Sequence, residues 1–475
     1  MLLNIEQIRQ ATDGRVILAY RGLDAMVSGI TWDSREAAPG VLYVALPGAR
    51  VDGHDFVPAA FRAGAAAVLV SHPLPDDAIG AAQEAGGAII FVKDPYRAVT
   101  DLARAWRDHL QGTVIAITGS NGKTTTKNLV RDVLAQGMSV VATRANQNNE
   151  LGVPRTLLNA DADTRAVVVE MGMRGRHQLE GLCRFVRPHM AVVTNVGTSH
   201  IELLGSRENI ARAKSEPVAS LPEGGTAFLN AADPYTDFIC AEARTAERGV
   251  DVVRYCGLGS AEGTAAVYAD GAAMDAEGRP TFALHLPEGT VSVTLALRGL
   301  HNVQNACAAA AVAARLGLTP DQIARGLAGA QAESGRQDVI HTPAGYTVID
   351  DSYNANPDSM AASLDTFAAL GVPGRRIAVL GDMGELGACS DEGHARVGRH
   401  AAHSGVDRLV CVGPHARLIA EAACKAGLPA AAVELVDDAA AALAALQGTL
   451  AAGDAVLVKA SHSTGLEHVV KGLIA

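Results

Sequence analysis

Aromatic side chains are scarce in this 475-residue chain, at 4%, while glycine alone accounts for 49 positions and alanine is abundant. Cores made of such residues pack by close backbone approach and not by large rings. Paired cysteines are also lacking. Cys183, Cys240, Cys256, Cys307, Cys389, Cys411 and Cys424 are odd in number and scattered, with no CxxC spacing, which suggests neither a disulfide framework nor a zinc site. No apolar run approaches the length of a membrane span. There is no basic excess: Lys and Arg total 40 against 51 Asp and Glu, for a net charge of -11. A general nucleic-acid binder needs a basic face to neutralise phosphates, so no nucleic-acid partner is expected, although a local pocket for one nucleotide remains open. The first ten residues carry Glu6 and Arg9 and no apolar stretch, so no signal peptide is expected, and a reducing cytoplasm is the expected compartment. Internal repeats and low-complexity linkers are absent.

What is present is an α/β alternation that implies three domains. Residues 1–110 read as a small N-terminal α/β domain, with strands Val41 to Leu46 and Ala66 to Val70 around a helix from Val57 to Ala63. Residues 111–332 read as a central P-loop ATPase domain. Buried strands at Val114 to Ile117, Ala166 to Val169 and Ala191 to Thr194 suit a parallel sheet, and alternation in Val291 to Leu297 suggests a small antiparallel sheet beside it. Helices are expected from Asn302 to Leu316 and Asp321 to Ala328. Residues 333–475 read as a doubly wound, Rossmann-like C-terminal domain with strands at Tyr346 to Ile349, Ile377 to Leu380, Leu409 to Val412 and Val456 to Val458. No G-x-G-x-x-G follows its first strands, which argues against a dehydrogenase.

The strongest local signal is Thr118-Gly119-Ser120-Asn121-Gly122-Lys123-Thr124-Thr125-Thr126, placed after a β-branched run and before a helical stretch. A triphosphate needs backbone N–H groups at a helix N-terminus, a lysine for its charge and a hydroxyl for Mg²⁺. Gly119 and Gly122 permit the turn, Lys123 brings the charge and Thr124 the hydroxyl. The spacing is a variant, because Ile117 stands where the general pattern has its first glycine. The alternative is a Gly-rich turn that merely begins a helix. Glu170 ends one apolar strand and His200 follows the next, and strand C-termini line the ligand crevice of an open α/β sheet. A carboxylate there would hold Mg²⁺ against phosphates. Taken singly, Glu170 reads as a paired buried carboxylate and His200 as a helix cap. Lys214, in Ala211-Arg212-Ala213-Lys214-Ser215-Glu216, reads by spacing alone as a solvated lysine on a short helical segment.

Several segments together make the chain resemble the Mur ligases of peptidoglycan synthesis. They are the loop TGSNGKTTT, Asn146 to Pro154, Glu170 to Met173, Ala211 to Lys214, Gly299 to Ala306, Asp350 to Pro357 and Gly381 to Gly387. The resemblance runs from Asp33-Ser34-Arg35 to Val458-Lys459. It implies an ATP-dependent carboxylate–amine ligase working through an acyl phosphate. Residues 1–110 would bind the UDP-muramoyl substrate, 111–332 would bind ATP and 333–475 the acceptor. The segments Asp350 to Pro357 and Gly381 to Gly387 are similar to the member that adds D-alanyl-D-alanine to UDP-muramoyl-tripeptide, and a monomer is expected.

As site residues the resemblance implies Gly119, Ser120, Asn121, Gly122, Lys123, Thr124 and Thr125 on the phosphates, Asn305 on adenine, and Arg336 and Asp351 on the γ-phosphoryl group and ribose. Thr124, Glu170, His200 and a carbamylated Lys214 would hold Mg²⁺. Ser34, Arg35, Asn148, Asn149 and Asn356 would meet substrate. Lys123, His200, Lys214 and Arg336 would act in catalysis. Without the resemblance, Asp33-Ser34-Arg35 and Asp52-Gly53-His54 read as surface turns, and Asp351 as a strand-end turn carboxylate. One departure from the family pattern is His462, in Lys459-Ala460-Ser461-His462-Ser463, where a permanent cation is expected. Two other functions fit parts of the pattern. One is a different Mur-like ligase, such as a folylpolyglutamate synthase or another muramoyl-peptide ligase; the Asp33–Arg35 and Asp52–His54 segments favour UDP-muramoyl substrates. A P-loop switch protein that only hydrolyses ATP would not need Glu170, His200, Lys214, Arg336 and Asp351.

Overall fold

A computed structural model describes residues 1–48, 50–257 and 264–475, in two compact units. The first comprises Met1–Ala116, Met138–Gly172 and Leu179–Met190. Its five-stranded sheet runs in the order Arg15–Ala19, Ala88–Phe91, Ala67–Val70, Leu42–Val44, Ile30–Thr31. All neighbours are parallel except Arg15–Ala19, which is antiparallel to Ala88–Phe91. Helices Val57–Arg62 and Asp76–Ala85 bury alanines and Phe61 against Tyr43, Val68 and Val70 of this sheet. The helix Pro95–Arg107 starts where Asp94 accepts from the Tyr96 and Arg97 amides and proline occupies the first turn, where its missing N–H costs nothing. The same unit holds the parallel pair Val140–Ala142 and Ala166–Glu170, with the Thr113 amide bonded to the Arg165 carbonyl.

The second unit comprises Ile117–Gly137, Met173–Gln178 and Ala191–Ala475. Strands Thr226–Asn230, Asp251–Cys256 and Val267–Met274 are parallel neighbours. Val267–Met274 then pairs antiparallel with Pro280–Leu286, and that strand with Gly289–Thr294, which is the small antiparallel layer expected from the alternation near Val291. The alanine-rich helix His301–Arg315 buries eleven residues, and its small side chains let it lie close to the helix Lys123–Leu134. A six-stranded sheet follows in the order Asp338–His341, Thr347–Asp350, Ala455–Lys459, Arg376–Gly381, Arg408–Val412, Val433–Val436. Only Asp338–His341 is antiparallel. Apolar clusters cover both faces, as a doubly wound sheet requires. The expected strands all form, shifted at their ends by up to three residues. Edge strands such as Asp338–His341 and Val433–Val436 escape a reading of apolar runs because they are only half-buried. Among the described residues no helix is long and apolar enough to cross a membrane.

Candidate active site

Strand Thr113–Thr118 delivers the chain into a turn at Gly119–Gly122, and the helix Lys123–Leu134 starts directly after it. Gly119 lies at φ 152° and Gly122 at φ 77°, conformations that side chains with a Cβ rarely adopt. Space is as restrictive as backbone: a Cβ on Gly119 would sit 1.7 Å from Thr194 Oγ1, and one on Gly122 2.4 Å from Asn305 Oδ1. The turn is tied down from the neighbouring strand end. The Thr194 hydroxyl donates to the Asn121 carbonyl at 2.6 Å, the Asn121 amide donates to Asn195 Oδ1 at 2.9 Å, and the Gly197 amide donates to Ser120 Oγ at 2.9 Å. Lys123 Nζ donates to the carbonyls of Gly119 at 2.9 Å and Ser120 at 3.4 Å. Thr124 is buried and Thr125 half-buried. Replacing Gly119 with alanine is therefore expected to destabilise the fold by about 2 kcal/mol or more from backbone strain and the clash with Thr194, read as a lower urea midpoint with an unchanged slope.

Other expected site residues of the second unit gather on this loop. Asn305 is buried behind it, accepting from Thr126 Oγ1 at 3.2 Å and donating to Asn302 Oδ1 at 2.8 Å. Asn356 caps the helix Pro357–Ala369 through its Oδ1, while its Nδ2 donates to Asn121 Oδ1 at 2.6 Å and Ser199 Oγ at 2.8 Å. One amide thus serves as helix cap and as strut against the phosphate loop.

Two of the plainer readings of single residues are corrected. His200 precedes the short helix Ile201–Leu204 with left-handed φ of 63°, yet its side chain makes no capping bond. Its Nδ1 meets the Glu385 carboxylate instead. Burial lowers the His200 pKa, outweighing the opposing pull of Glu385. Lys214 is not solvated. It lies on a 13-residue helix, Arg207–Ala219, and is 2% exposed, because that helix turns this side toward the interior while Arg212 and Glu216 stay nearer solvent. Burial, seconded by the charge of Lys123, holds the Lys214 amine well below its ordinary pKa.

Asp351 follows the strand Thr347–Asp350, its amide bonded to the Val458 carbonyl. It is buried and ion-paired, with Lys459 Nζ at 2.8 Å and the Ser363 hydroxyl also bonded to its carboxylate. That is more than an exposed turn carboxylate would show. Lys459 donates as well to the Asn354 carbonyl at 3.0 Å. The Arg336 guanidinium lies 4.3 Å from the centre of the Tyr353 ring, and exposed His462 approaches the same ring at 6.2 Å.

In the first unit, Glu170 ends its strand buried, with Asn148 Nδ2 donating to its Oε1 at 2.7 Å and its own amide donating to Thr143 Oγ1 at 3.0 Å. Asn149 accepts from the Gly152 amide at 3.0 Å, where the helix Gly152–Asn159 begins. Ser34 and Arg35 stand on a short 3-10 turn, Ser34–Glu36, and Arg35 forks onto Asp33, with Nη2 at 2.6 Å from Oδ2.

Two features went unnoticed in the sequence. Glu385 is one; its only signal was membership of the Gly381 to Gly387 segment. The other is His72, which joins Asp52 and His54 of the Asp52–His54 segment in the one group of three potential metal-binding side chains with close ligand atoms among the described residues. That group is ill suited to a metal. His54 Nδ1 lies 2.6 Å from Asp52 Oδ1 while its Nε2 accepts from the Ser71 amide at 2.9 Å, so both ring nitrogens are engaged. His72 stacks on His54 at 3.7 Å and reaches Asp52 Oδ2 at 3.1 Å.

A phosphate loop on a strand–helix junction, with a buried amine and a carboxylate-bound histidine, defines an ATP-dependent ligase when set beside known proteins. Residues 26–107 match the catalytic domain of the Mur ligase family, 117–313 the Mur ligase middle domain, and 335–462 the Mur ligase glutamate ligase domain. The UDP-N-acetylmuramoyl-tripeptide--D-alanyl-D-alanine ligase of Mycobacterium tuberculosis is 39% identical, with 100% of this chain and 98% of that protein covered. The crystal structure of MurF from Acinetobacter baumannii superposes with a TM-score of 0.83 at 32% identity, covering 100% and 99% of the two chains. MurF from Thermotoga maritima in complex with ADP gives 0.75 at 27% identity, covering 94% and 97%. The chain belongs to the Mur ligase family.

Proposed function

We propose that this enzyme joins D-alanyl-D-alanine to UDP-N-acetylmuramoyl-tripeptide, forming the UDP-muramoyl-pentapeptide precursor of peptidoglycan in the cytoplasm. The observation that carries this reading is the end-to-end similarity to a D-alanyl-D-alanine-adding ligase, at 39% identity. In this scheme residues 1–110 take the UDP-muramoyl end through Ser34 and Arg35, 111–332 take ATP, and 333–475 take the dipeptide. The tripeptide carboxylate attacks the γ-phosphorus of ATP and displaces ADP, and the neutral dipeptide amine then attacks the acyl phosphate carbon, loses a proton and expels phosphate. Lys123 and Arg336 draw charge from the γ-phosphoryl group, where preorganised cations act most strongly. Asn305 meets adenine and Asp351 the ribose, while Asn148, Asn149 and Asn356 face the joined substrates.

The donor set suits Mg²⁺ on one condition. The Thr124 hydroxyl, the Glu170 carboxylate and the remaining Nε2 of His200 are conventional donors, but an ammonium on Lys214 would repel a cation. A carbamate on Lys214 reverses that sign, and burial supplies the neutral amine that CO₂ needs. When bound, Mg²⁺ shields the phosphate charge during transfer.

Acceptor choice tests the reading. Incubated with UDP-muramoyl-tripeptide, ATP, Mg²⁺ and competing amines, the enzyme is expected to yield the pentapeptide mass and no product from free D-alanine. A site that anchors the far carboxylate of a dipeptide leaves a single amino acid unable to reach the anchor and the acyl phosphate together. Equal or preferred incorporation of single amino acids overturns the proposal.

A further inference from the structure

The segment Gly381–Gly387 is built as a rigid mount. The Met383 amide donates to the ring of fully buried His394 at 3.0 Å, the Gly384 amide donates to Ser461 Oγ at 2.8 Å, and Asp382 accepts from the Ala416 amide at 2.7 Å. Asp382 also receives the Ser461 amide on its carbonyl at 3.0 Å. From this mount Glu385 projects with left-handed φ of 60°, and its carbonyl accepts from the Glu202 amide at 3.3 Å, next to His200. Its two carboxylate oxygens are divided. Arg174 donates to Oε1, with Nε at 3.1 Å, and His200 Nδ1 meets Oε2.

We infer that Glu385 is a positioning residue: its carboxylate, oriented by Arg174, fixes the ring of His200 with the proton on Nδ1 and leaves Nε2 unprotonated, its lone pair turned to the site. This rests on the proposed role of His200 beside the phosphates. Which nitrogen of a neutral imidazole carries the proton is set by the hydrogen bond the other makes, and a carboxylate accepts only from N–H. Partners of this kind orient a functional histidine and typically matter by about 10–100-fold in activity or metal affinity. Three separate stretches of chain meet here, since Arg174 and His200 stand 211 and 185 positions before Glu385. The mount holds the carboxylate in place without help from ligand.

The test has a readout independent of turnover. Full-length enzyme labelled with ¹⁵N-histidine, without nucleotide and at alkaline pH, reports the tautomer of each ring, and the His200 signal is assigned by its loss in His200→Gln. The wild type is expected to show His200 protonated on Nδ1. Glu385→Ala is expected to release the ring to the Nε2-protonated form that free histidine favours, with kcat falling about 10–100-fold and ATP KM changing much less. Glu385→Gln keeps an acceptor oxygen and is expected to retain the tautomer and most of the rate. An Nε2-protonated His200 in the wild type overturns the inference, whether or not Glu385→Ala folds. An unchanged tautomer in folded Glu385→Ala overturns it too. If no amine is ligated, the proposed function fails while the tautomer result still stands.

Discussion

Lys123→Ala is expected to lower ligation roughly a hundred- to a thousandfold, the usual cost of removing one preorganised charge from a developing transition state. The enzyme should stay folded. Lys123 is half-buried at the start of its helix, and its Nζ donates to the Gly119 and Ser120 carbonyls, at 2.9 and 3.4 Å. Those carbonyls lie on the loop itself, so loss of the bonds removes on the order of 1–2 kcal/mol from each. Core packing around Leu129, Val130 and Val133 is untouched. The loss should fall mainly on kcat, because the lysine's interaction strengthens as charge moves toward the bridging oxygen of the leaving group. Lys123→Arg is not expected to rescue: a planar guanidinium is broader than an ammonium and does not fit a loop whose glycines are already in contact with Thr194 and Asn305. ADP release and the unfolding midpoint, measured on the same preparations, check this. Wild-type turnover in a folded Lys123→Ala enzyme would remove the loop from the mechanism.

The phosphate loop was legible because its parts are consecutive. A turn that needs glycine at two positions, then lysine and threonine, then a helix, leaves little else for the segment to be. The buried strands were legible for a similar reason, as apolar runs that must be covered on both faces. Residues whose neighbours come from far along the chain were not. Lys214 sits among Arg212, Ser215 and Glu216, and that composition says solvent, because helix sequence does not reveal which face turns inward when polar residues occupy it. His200 precedes a helix, so a cap was the natural reading, but its partner is 185 positions away. The pairing of Asp351 with Lys459 follows from register: parallel strands set Asp350 opposite Val458, so the residues that follow emerge at the same sheet end. No local pattern encodes that. His462, the departure from the family pattern, lies near the Tyr353 ring that Arg336 also approaches, a meeting of residues far apart in the chain.

Lys214→Ala is expected to cost at least about a hundredfold in turnover, and added formate or acetate should restore part of it. Lys214 is 2% exposed, and both burial and the charge of Lys123 disfavour its ammonium form. A plain lysine at this place would be a neutral amine or a strained cation, and neither helps gather Mg²⁺ and a triphosphate. The neutral amine is nevertheless the form that attacks CO₂. Its nitrogen forms a bond to carbon, one proton leaves to solvent, and the product carries a carboxylate where a cation would otherwise stand. Alanine removes the stem and leaves room, so a small free carboxylate can occupy the position of the lost carbamate. Three measurements distinguish this from a merely structural lysine. Wild-type activity should fall when CO₂ is stripped from the buffer and return with bicarbonate. Lys214→Ala should respond to formate and not to bicarbonate, since it has no amine to modify. Its unfolding midpoint should fall only moderately, because the cavity left by the lost stem is destabilising while removal of the buried amine relieves a group that is costly to bury. Full activity in Lys214→Ala, or a loss that no small carboxylate repairs in a well-folded enzyme, would mean that the anion at this position comes from some other residue.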